Sequence, residues 1–297
     1  MNNDAEISKI NSWIIASRPR TLPAAVVPVV VGSAAAASDN KFILLYALIA
    51  LICSLLIQIG TNFTNDLYDY LKGADNEKRK GPLRVMVNGL ISVTEMKTGI
   101  VVVFLTAFLL GLYLVYTGGI FVLLIGIASI LAGIAYTAGP YPLAYNGLGD
   151  LFVFMFFGVV GTVGTYFVQA HTLSYLPLLC SIPVGALITN ILLVNNYRDI
   201  EEDRAANKYT LAVKLGRTFS RYQFMTLLII SFLVPLILFF SFNFNYWIFL
   251  PYLTTPFAFR LIKMLFLYDG IELNRTLELT ARFSAIFGLL LSAGILL

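Results

Sequence analysis

The stretch FILLYALIALICSLLIQIGTNF, residues 42–63, carries no charged side chain. A run of about eighteen or more such residues is long enough to cross the hydrocarbon core of a bilayer as a helix. In that medium each backbone N–H and C=O must be bonded within its own segment, which leaves helix as the form open to an unbroken apolar run. Runs of similar character recur at 22–38, 98–117, 119–138, 148–170, 174–195, 222–243, 246–264 and 281–297, making nine spans. Pro251 and Pro256 interrupt the eighth, which a membrane helix tolerates as a kink where neighbours satisfy the freed carbonyls. Only 12% of the 297 residues are charged, against about a quarter in a soluble domain. The expected fold is therefore all-α: a polytopic membrane helical bundle of about nine transmembrane helices.

Charge orients such a bundle. If residues 1–21 are cytoplasmic, the inside segments are 1–21, 64–97, 139–147, 196–221 and 261–281. With Arg260 and Arg282 at flanking helix ends, they hold every Lys and Arg except Lys41, and every acid except Asp39 follows. The positive-inside rule then places the N-terminus in the cytoplasm of a cell with this protein in its inner (cytoplasmic) membrane. The +4 net charge is accounted for by topology and contact with the lipid bilayer, so no nucleic-acid site is inferred. Cys53 and Cys180 lie within apolar runs, and His171 stands alone outside, which excludes a Cys or His metal site. No segment points to an obligate protein partner.

The two long inside loops follow the second and sixth spans, four helices apart. Spans one to four and five to eight thus read as two four-helix repeats plus a final helix. Within a single membrane-embedded domain over 1–297, repeat one covers about 1–138, repeat two about 139–264 and the last helix about 281–297. Each repeat carries an acidic segment at the same place. The first is Asn62-x-x-x-Asp66-x-x-Asp69, with Asp75 beyond; the second is Asn195-x-x-x-Asp199-x-x-x-Asp203. At about 100° per residue, each set falls within roughly 60–80° on one side of a helix. Asn62 and Asn195 sit at the edge of apolar runs, where a polar group is costly and usually functional.

Carboxylates facing each other repel unless a cation separates them. Oxygen donors without nearby His or Cys suit a hard divalent ion, Mg²⁺, Mn²⁺ or Ca²⁺, with Mg²⁺ first and Mn²⁺ as its substitute. Asp66, Asp69, Asp199 and Asp203 are the candidate catalytic acids and metal ligands, with Asn62 and Asn195 assisting. Mg²⁺ commonly binds through a few carboxylates plus substrate phosphates, and basic residues stand in the same loops. Lys72, Arg84, Arg198 and Lys208 are the candidate diphosphate-binding residues. A diphosphate head at a membrane surface implies a lipid tail, and a polyprenyl diphosphate fits. Tyrosine faces would stabilise an allylic cation; Tyr68, Tyr136, Tyr141, Tyr145 and Tyr197 lie near this face by sequence, with Tyr68 and Tyr136 the candidates.

These segments resemble the paired Asp-rich motifs of the UbiA superfamily of intramembrane aromatic prenyltransferases. The resemblance runs over nearly the whole chain. Within the superfamily it is most similar to the branch acting on 1,4-dihydroxy-2-naphthoate in menaquinone synthesis. It is carried by WIIASRPRTLPAAVVPVVVG (13–32), NDLYDYLKGAD (65–75), GPLRV (81–85) with NGLIS (88–92), YTAGPYPLAYNGLGDLFVFMFFG (136–158) and NNYRDIEEDRAANKYTLAVKLG (195–216). The resemblance implies Mg²⁺-dependent transfer of a prenyl group from a polyprenyl diphosphate to a small aromatic acceptor, with decarboxylation to a demethylmenaquinone. The chain departs from the pattern at Asn207 and Tyr209, where Gly and Arg are usual, and in residues 139–147, which contain no basic residue where a Lys is common. Other acceptors such as 4-hydroxybenzoate, homogentisate, haem or a chlorophyll precursor are the alternatives within the class. A prenyl-phosphate lipid transporter is the alternative outside it.

Three further segments carry expectations. Gly158, Gly161 and Gly164 are spaced for close helix packing. Residues 269–282 read as an interfacial helix or lid. Residues 7–17 read as an amphipathic segment leading into the first span, with Arg18 either reaching the diphosphate or snorkelling to headgroups.

Overall fold

The computed structural model of the chain describes residues 7–74, 81 and 83–297. Asp75 lies outside the described residues. The elements are α1 (Lys9–Ser17), α2 (Pro23–Ser38), α3 (Leu44–Leu71), α4 (Val93–Gly118), α5 (Ile120–Ala135), α6 (Gly149–Ala170), α7 (Tyr175–Arg198), α8 (Ile200–Ala205), α9 (Leu211–Phe242), α10 (Tyr246–Leu267) and α11 (Leu273–Leu296). Among the described residues there is no strand. Seven helices are long and apolar enough to cross a membrane, or eight when α1 and α2, bent by 52°, count as one span. The shorter α5 completes the nine apolar segments, so that number is approximate as a count of full crossings. The chain is a multi-pass membrane protein of the all-α class.

The ends of these helices follow local chemistry. Ser92 caps α4, accepting from Glu95 N while the Glu95 carboxylate accepts from Ser92 N, a reciprocal pair that satisfies two otherwise orphaned donors. Residues 273–282, expected within an interfacial helix or lid, are helical and form the first turns of α11, because nothing after Leu273 interrupts the helix. The amphipathic α1 forms as expected and ends at Arg18 in a left-handed conformation.

At the centre lies α7, 78% of whose apolar window is buried, packed along α9 and against α6 and α11. The main core joins Val31, Leu187, Val194, Phe224, Phe283 and Phe287 across α2, α7, α9 and α11. By contrast α3, packed along α4, has only 6% of its apolar window buried, because much of it faces lipid or an internal cavity. Gly158 packs as the sequence suggested: a methyl there would lie 2.7 Å from Gly185 Cα. Gly164 does not, since it borders open space, where a methyl would meet only Ile125 Cγ2 at 4.0 Å.

Candidate active site

α3 continues unbroken from the apolar run through Asn62, Asp66 and Asp69, because no proline or cap-forming sequence intervenes before Lys72-Gly73. There Gly73 takes a left-handed conformation (φ 68°), and Ala74 N returns to Asp69 O at 2.9 Å. That closure satisfies a carbonyl at the helix end and explains why a glycine follows the acids. The second motif ends the same way. Asn207 is left-handed (φ 55°), and Lys208 N returns to Asp203 O at 2.8 Å. Asn is among the few residues that tolerate this conformation, so it stands in for the expected glycine.

The second stripe is not one helix. α7 stops at Arg198, Asp199 leaves helical geometry (φ −97°, ψ 12°), and α8 resumes at Ile200. The bonds Asp199 N to Asn195 O (3.1 Å) and Asp203 N to Asp199 O (2.8 Å) persist, so the stripe keeps its side. The break coincides with the extra residue separating Asp199 from Asp203 relative to Asp66 and Asp69.

The whole of the first stripe and Asn195 of the second line one cavity of about 820 Å³. Its polar end is lined by Arg18, Asn62, Asp66, Asp69, Arg84, Tyr136, Asn195, Arg198 and Lys208, and most of the remainder by apolar residues of α2 to α7. Asp199 and Asp203 stand behind this wall, as do Lys72 and Tyr68. All four acids are buried, between 2% and 7% exposed.

Each acid is matched by a cation. Asp66 Oδ1 accepts from Arg84 at 2.7 Å and lies 3.3 Å from Arg18 Nη2. Arg84 also reaches Asp69 at 3.8 Å. Asp199 takes a two-pronged bond from Arg198, at 2.6 and 2.7 Å. Arg198 further donates to Asn195 Oδ1 at 2.8 Å and Asn274 Oδ1 at 2.6 Å. Lys208 lies 3.4 Å from Asp203. Asn62 spends its amide N–H on Ser17 O, at 2.9 Å, pinning the end of α1.

The loop 139–147 contributes a tyrosine where it has no cation. Tyr145 donates to Asp69 at 2.8 Å, and its ring sits under two ammonium groups, Lys72 at 4.4 Å and Lys208 at 5.6 Å. Lys72 also donates to Thr137 O at 2.7 Å, and its burial lowers its pKa, with Asp69 opposing. Tyr209 N bonds Tyr145 O at 2.9 Å, tying this loop to the second motif. Of the other tyrosines, Tyr136 lines the cavity, Tyr68 packs against the Val85–Met86 cluster, Tyr141 is exposed and Tyr197 lies beneath Arg217 and Arg221. Sequence reasoning missed Asn274. The Tyr145 hydroxyl was traceable only as one of several tyrosines near the face.

The donor set suits a hard divalent ion: it is all oxygen, and Asp203 Oδ2 is buried with no hydrogen-bond partner among the described residues. Burial pushes the Asp203 carboxyl up to about 6; Lys208 opposes this, while Asp199 and Asp69 add to it. Tyr145, bonded to Asp69 and lying under Lys208, brings the two stripes together. Among the described residues no three acidic, His or Cys side chains close on one point, so the acids form two pairs rather than one cluster.

Fold and site together define a membrane-embedded helical protein that presents acids and cations at one end of an apolar cavity. Residues 25–286 match the UbiA prenyltransferase family, and the chain belongs to that family. It is 38% identical to a 1,4-dihydroxy-2-naphthoate octaprenyltransferase of Escherichia coli over 99% of this chain and 98% of that one. The fold is shared with an apo UbiA homolog of Aeropyrum pernix (TM-score 0.69, 16% identity, 91% of this chain and 95% of that one). It is also shared with an Archaeoglobus fulgidus UbiA homolog bound to GPP and Mg²⁺ (TM-score 0.63, 15% identity, 95% and 99%). The protein is a membrane prenyltransferase.

Proposed function

We propose that this enzyme transfers a polyprenyl group from its diphosphate to 1,4-dihydroxy-2-naphthoate with loss of CO₂, giving the quinol form of a demethylmenaquinone. The observation carrying this is the cavity of about 820 Å³, with acids and cations gathered at one end of a largely apolar lining. Such a shape takes a charged head and a long hydrocarbon tail in one orientation. The E. coli relative's name supplies the acceptor.

Mg²⁺, or Mn²⁺ as a substitute, would be held by Asp66, Asp69, Asp199 and Asp203 with Asn62 and Asn195 assisting, and supplies positive charge against the leaving diphosphate. Arg84, Lys208 and Arg18 add fixed cations at the same end, while Lys72 acts through the loop it holds. The allylic C–O bond breaks with its electron pair going to the diphosphate. An electron-rich ring carbon forms the new C–C bond, and the carboxylate leaves as CO₂ with its bonding pair retained by the ring. The Tyr136 ring lines the cavity where it can face the allylic cation, and the apolar walls keep water from quenching it. With all Lys and Arg except Lys41 on one side, the site faces the cytoplasm of the inner membrane.

The test uses purified protein in detergent with dihydroxynaphthoate, a prenyl diphosphate, and either Mg²⁺ or chelator. Mass analysis should find the decarboxylated prenyl product only with metal. Product from 4-hydroxybenzoate but not from the naphthoate would overturn the acceptor assignment.

A further inference from the structure

The glycines of the bundle divide by what a methyl group at each would meet. At Gly32, Gly158, Gly288 and Gly294 it would lie 2.4 to 2.7 Å from Thr162 O, Gly185 Cα, Val27 Cγ1 and Trp247 O, so these glycines permit close helix approach. At Gly126 it would meet nothing within 4 Å, at Gly111 only Cys53 Sγ at 3.9 Å, and at Gly164 only Ile125 Cγ2 at 4.0 Å. Packing does not require glycine at these three positions, and glycine within a helix is less favourable than alanine. All three line the cavity.

They also share a level. Gly126, Gly164 and Gly111 stand six, six and seven residues from the helix ends Ile120, Ala170 and Gly118, all at the end of the bundle away from the acids. Gly126 is ten residues along the chain from Tyr136, about 15 Å at the helical rise. Beyond this level Leu114, Val122 and Val168, with Ala50 and Val115, form the apolar floor of the cavity.

We infer that Gly111, Gly126 and Gly164 set the bore of the cavity where the distal isoprene units lie, and so determine the length of prenyl chain the enzyme accepts. This rests on the reading of the cavity as the prenyl donor's site. A side chain at any of the three occupies the path of a long tail and leaves the diphosphate end, about 15 Å away along α5, untouched.

The test compares wild type with Gly126→Leu and Gly164→Leu as purified proteins, each checked for thermal unfolding, on geranyl, farnesyl and octaprenyl diphosphates with dihydroxynaphthoate. The ratio of kcat/KM for octaprenyl over geranyl diphosphate should fall about tenfold or more, the scale of forcing groups into filled space. Gly126→Ala and Gly164→Ala, whose added methyl meets no atom closer than 4.0 Å, should lower the same ratio by less. An unchanged ratio in the alanine pair, or in a folded leucine variant, overturns the inference while wild-type turnover leaves the donor site standing. A wild type that turns over none of the three donors overturns the reading of the cavity and the inference with it.

Discussion

The two acidic jaws differ in where their neutralising charge comes from. Asp66 and Asp69 stand on a continuous helix and are matched by Arg18 and Arg84, 48 and 18 residues from Asp66 in the chain. Asp199 and Asp203 flank a break and are matched locally, by Arg198 next in sequence and by Lys208. Cations of both jaws line the cavity, but Arg18 keeps 27% of its side chain exposed. Arg198 is 1% exposed at its side chain and engaged by three partner residues. One jaw therefore keeps a partly exposed cation beside its acids, and the other uses its main cation to hold its own acid in place.

The largest test of that contrast is stability. Arg198→Ala leaves Asp199 buried without its guanidinium, and breaking a buried pair this way costs about 3–5 kcal/mol. Arg18→Ala, at a partly exposed pair, should cost under about 1 kcal/mol. Unfolding of both variants in the same detergent measures the difference; equal losses would erase the distinction between the jaws.

Activity comes next. Asp66→Ala and Asp199→Ala should each lower kcat/KM by about 10²-fold or more, the scale seen when one electrostatic group is removed from a transition state. Asp66→Ala should lose less stability, because Arg18 is partly exposed and Arg84 still reaches Asp69, whereas Asp199→Ala leaves the buried Arg198 without its carboxylate. Near-normal turnover in either variant would refute a role for that jaw.

The pH response isolates Asp203. Its carboxyl is pushed from 3.8 up to about 6, so folding favours the protonated form. Its contribution to stability is thus greatest below 3.8 and is lost as the pH rises through 6. That loss is on the order of 3 kcal/mol at about 1.36 kcal/mol for each pH unit between the two values. Without divalent ion, Asp203→Asn should abolish this fall between pH 4 and 6, and Mg²⁺ should restore much of it in wild type above pH 6 by satisfying the charged carboxylate. A wild-type stability curve flat across that window, or one insensitive to Mg²⁺ above it, would count against Asp203 as a ligand.

Much of this was legible in the sequence, for a physical reason. Helical periodicity and hydrophobic length are local, so nine apolar segments, the Asn62–Asp66–Asp69 stripe and the basic loops could be read directly. What packing decides could not. That Arg18 and Arg84 converge on one oxygen of Asp66, that Asn274 of α11 steadies Arg198, and that Gly164 faces a void are outcomes of helix placement. The break at Asp199 was hidden because its i to i−4 bonds survive, so the periodicity that signals a helix runs through it. Asn207 looked like a departure from the family pattern, yet its left-handed conformation does the work of glycine.

The smallest expected effect falls between the jaws, at Tyr145. Its hydroxyl holds Asp69 at 2.8 Å while its ring supports Lys72 from the first motif and Lys208 from the second. Tyr145→Phe keeps the ring and removes the hydroxyl, so both cation contacts persist and the hydrogen bond to the Asp69 carboxylate is lost. A bond to a charged group contributes about 1.5–3 kcal/mol when buried, but Arg84 still reaches Asp69 at 3.8 Å and offsets part of the loss. The variant should therefore lose about tenfold in kcat/KM at most and shift its Mg²⁺ requirement upward. Tyr145→Ala removes the shared platform and should do more, lowering the affinity for the diphosphate donor as well. If the two substitutions behave alike, the ring contributes nothing and the two motifs are coupled through Asp69 alone; if Tyr145→Phe is silent, the loop that lacks a cation acts only by positioning Lys72 and Lys208.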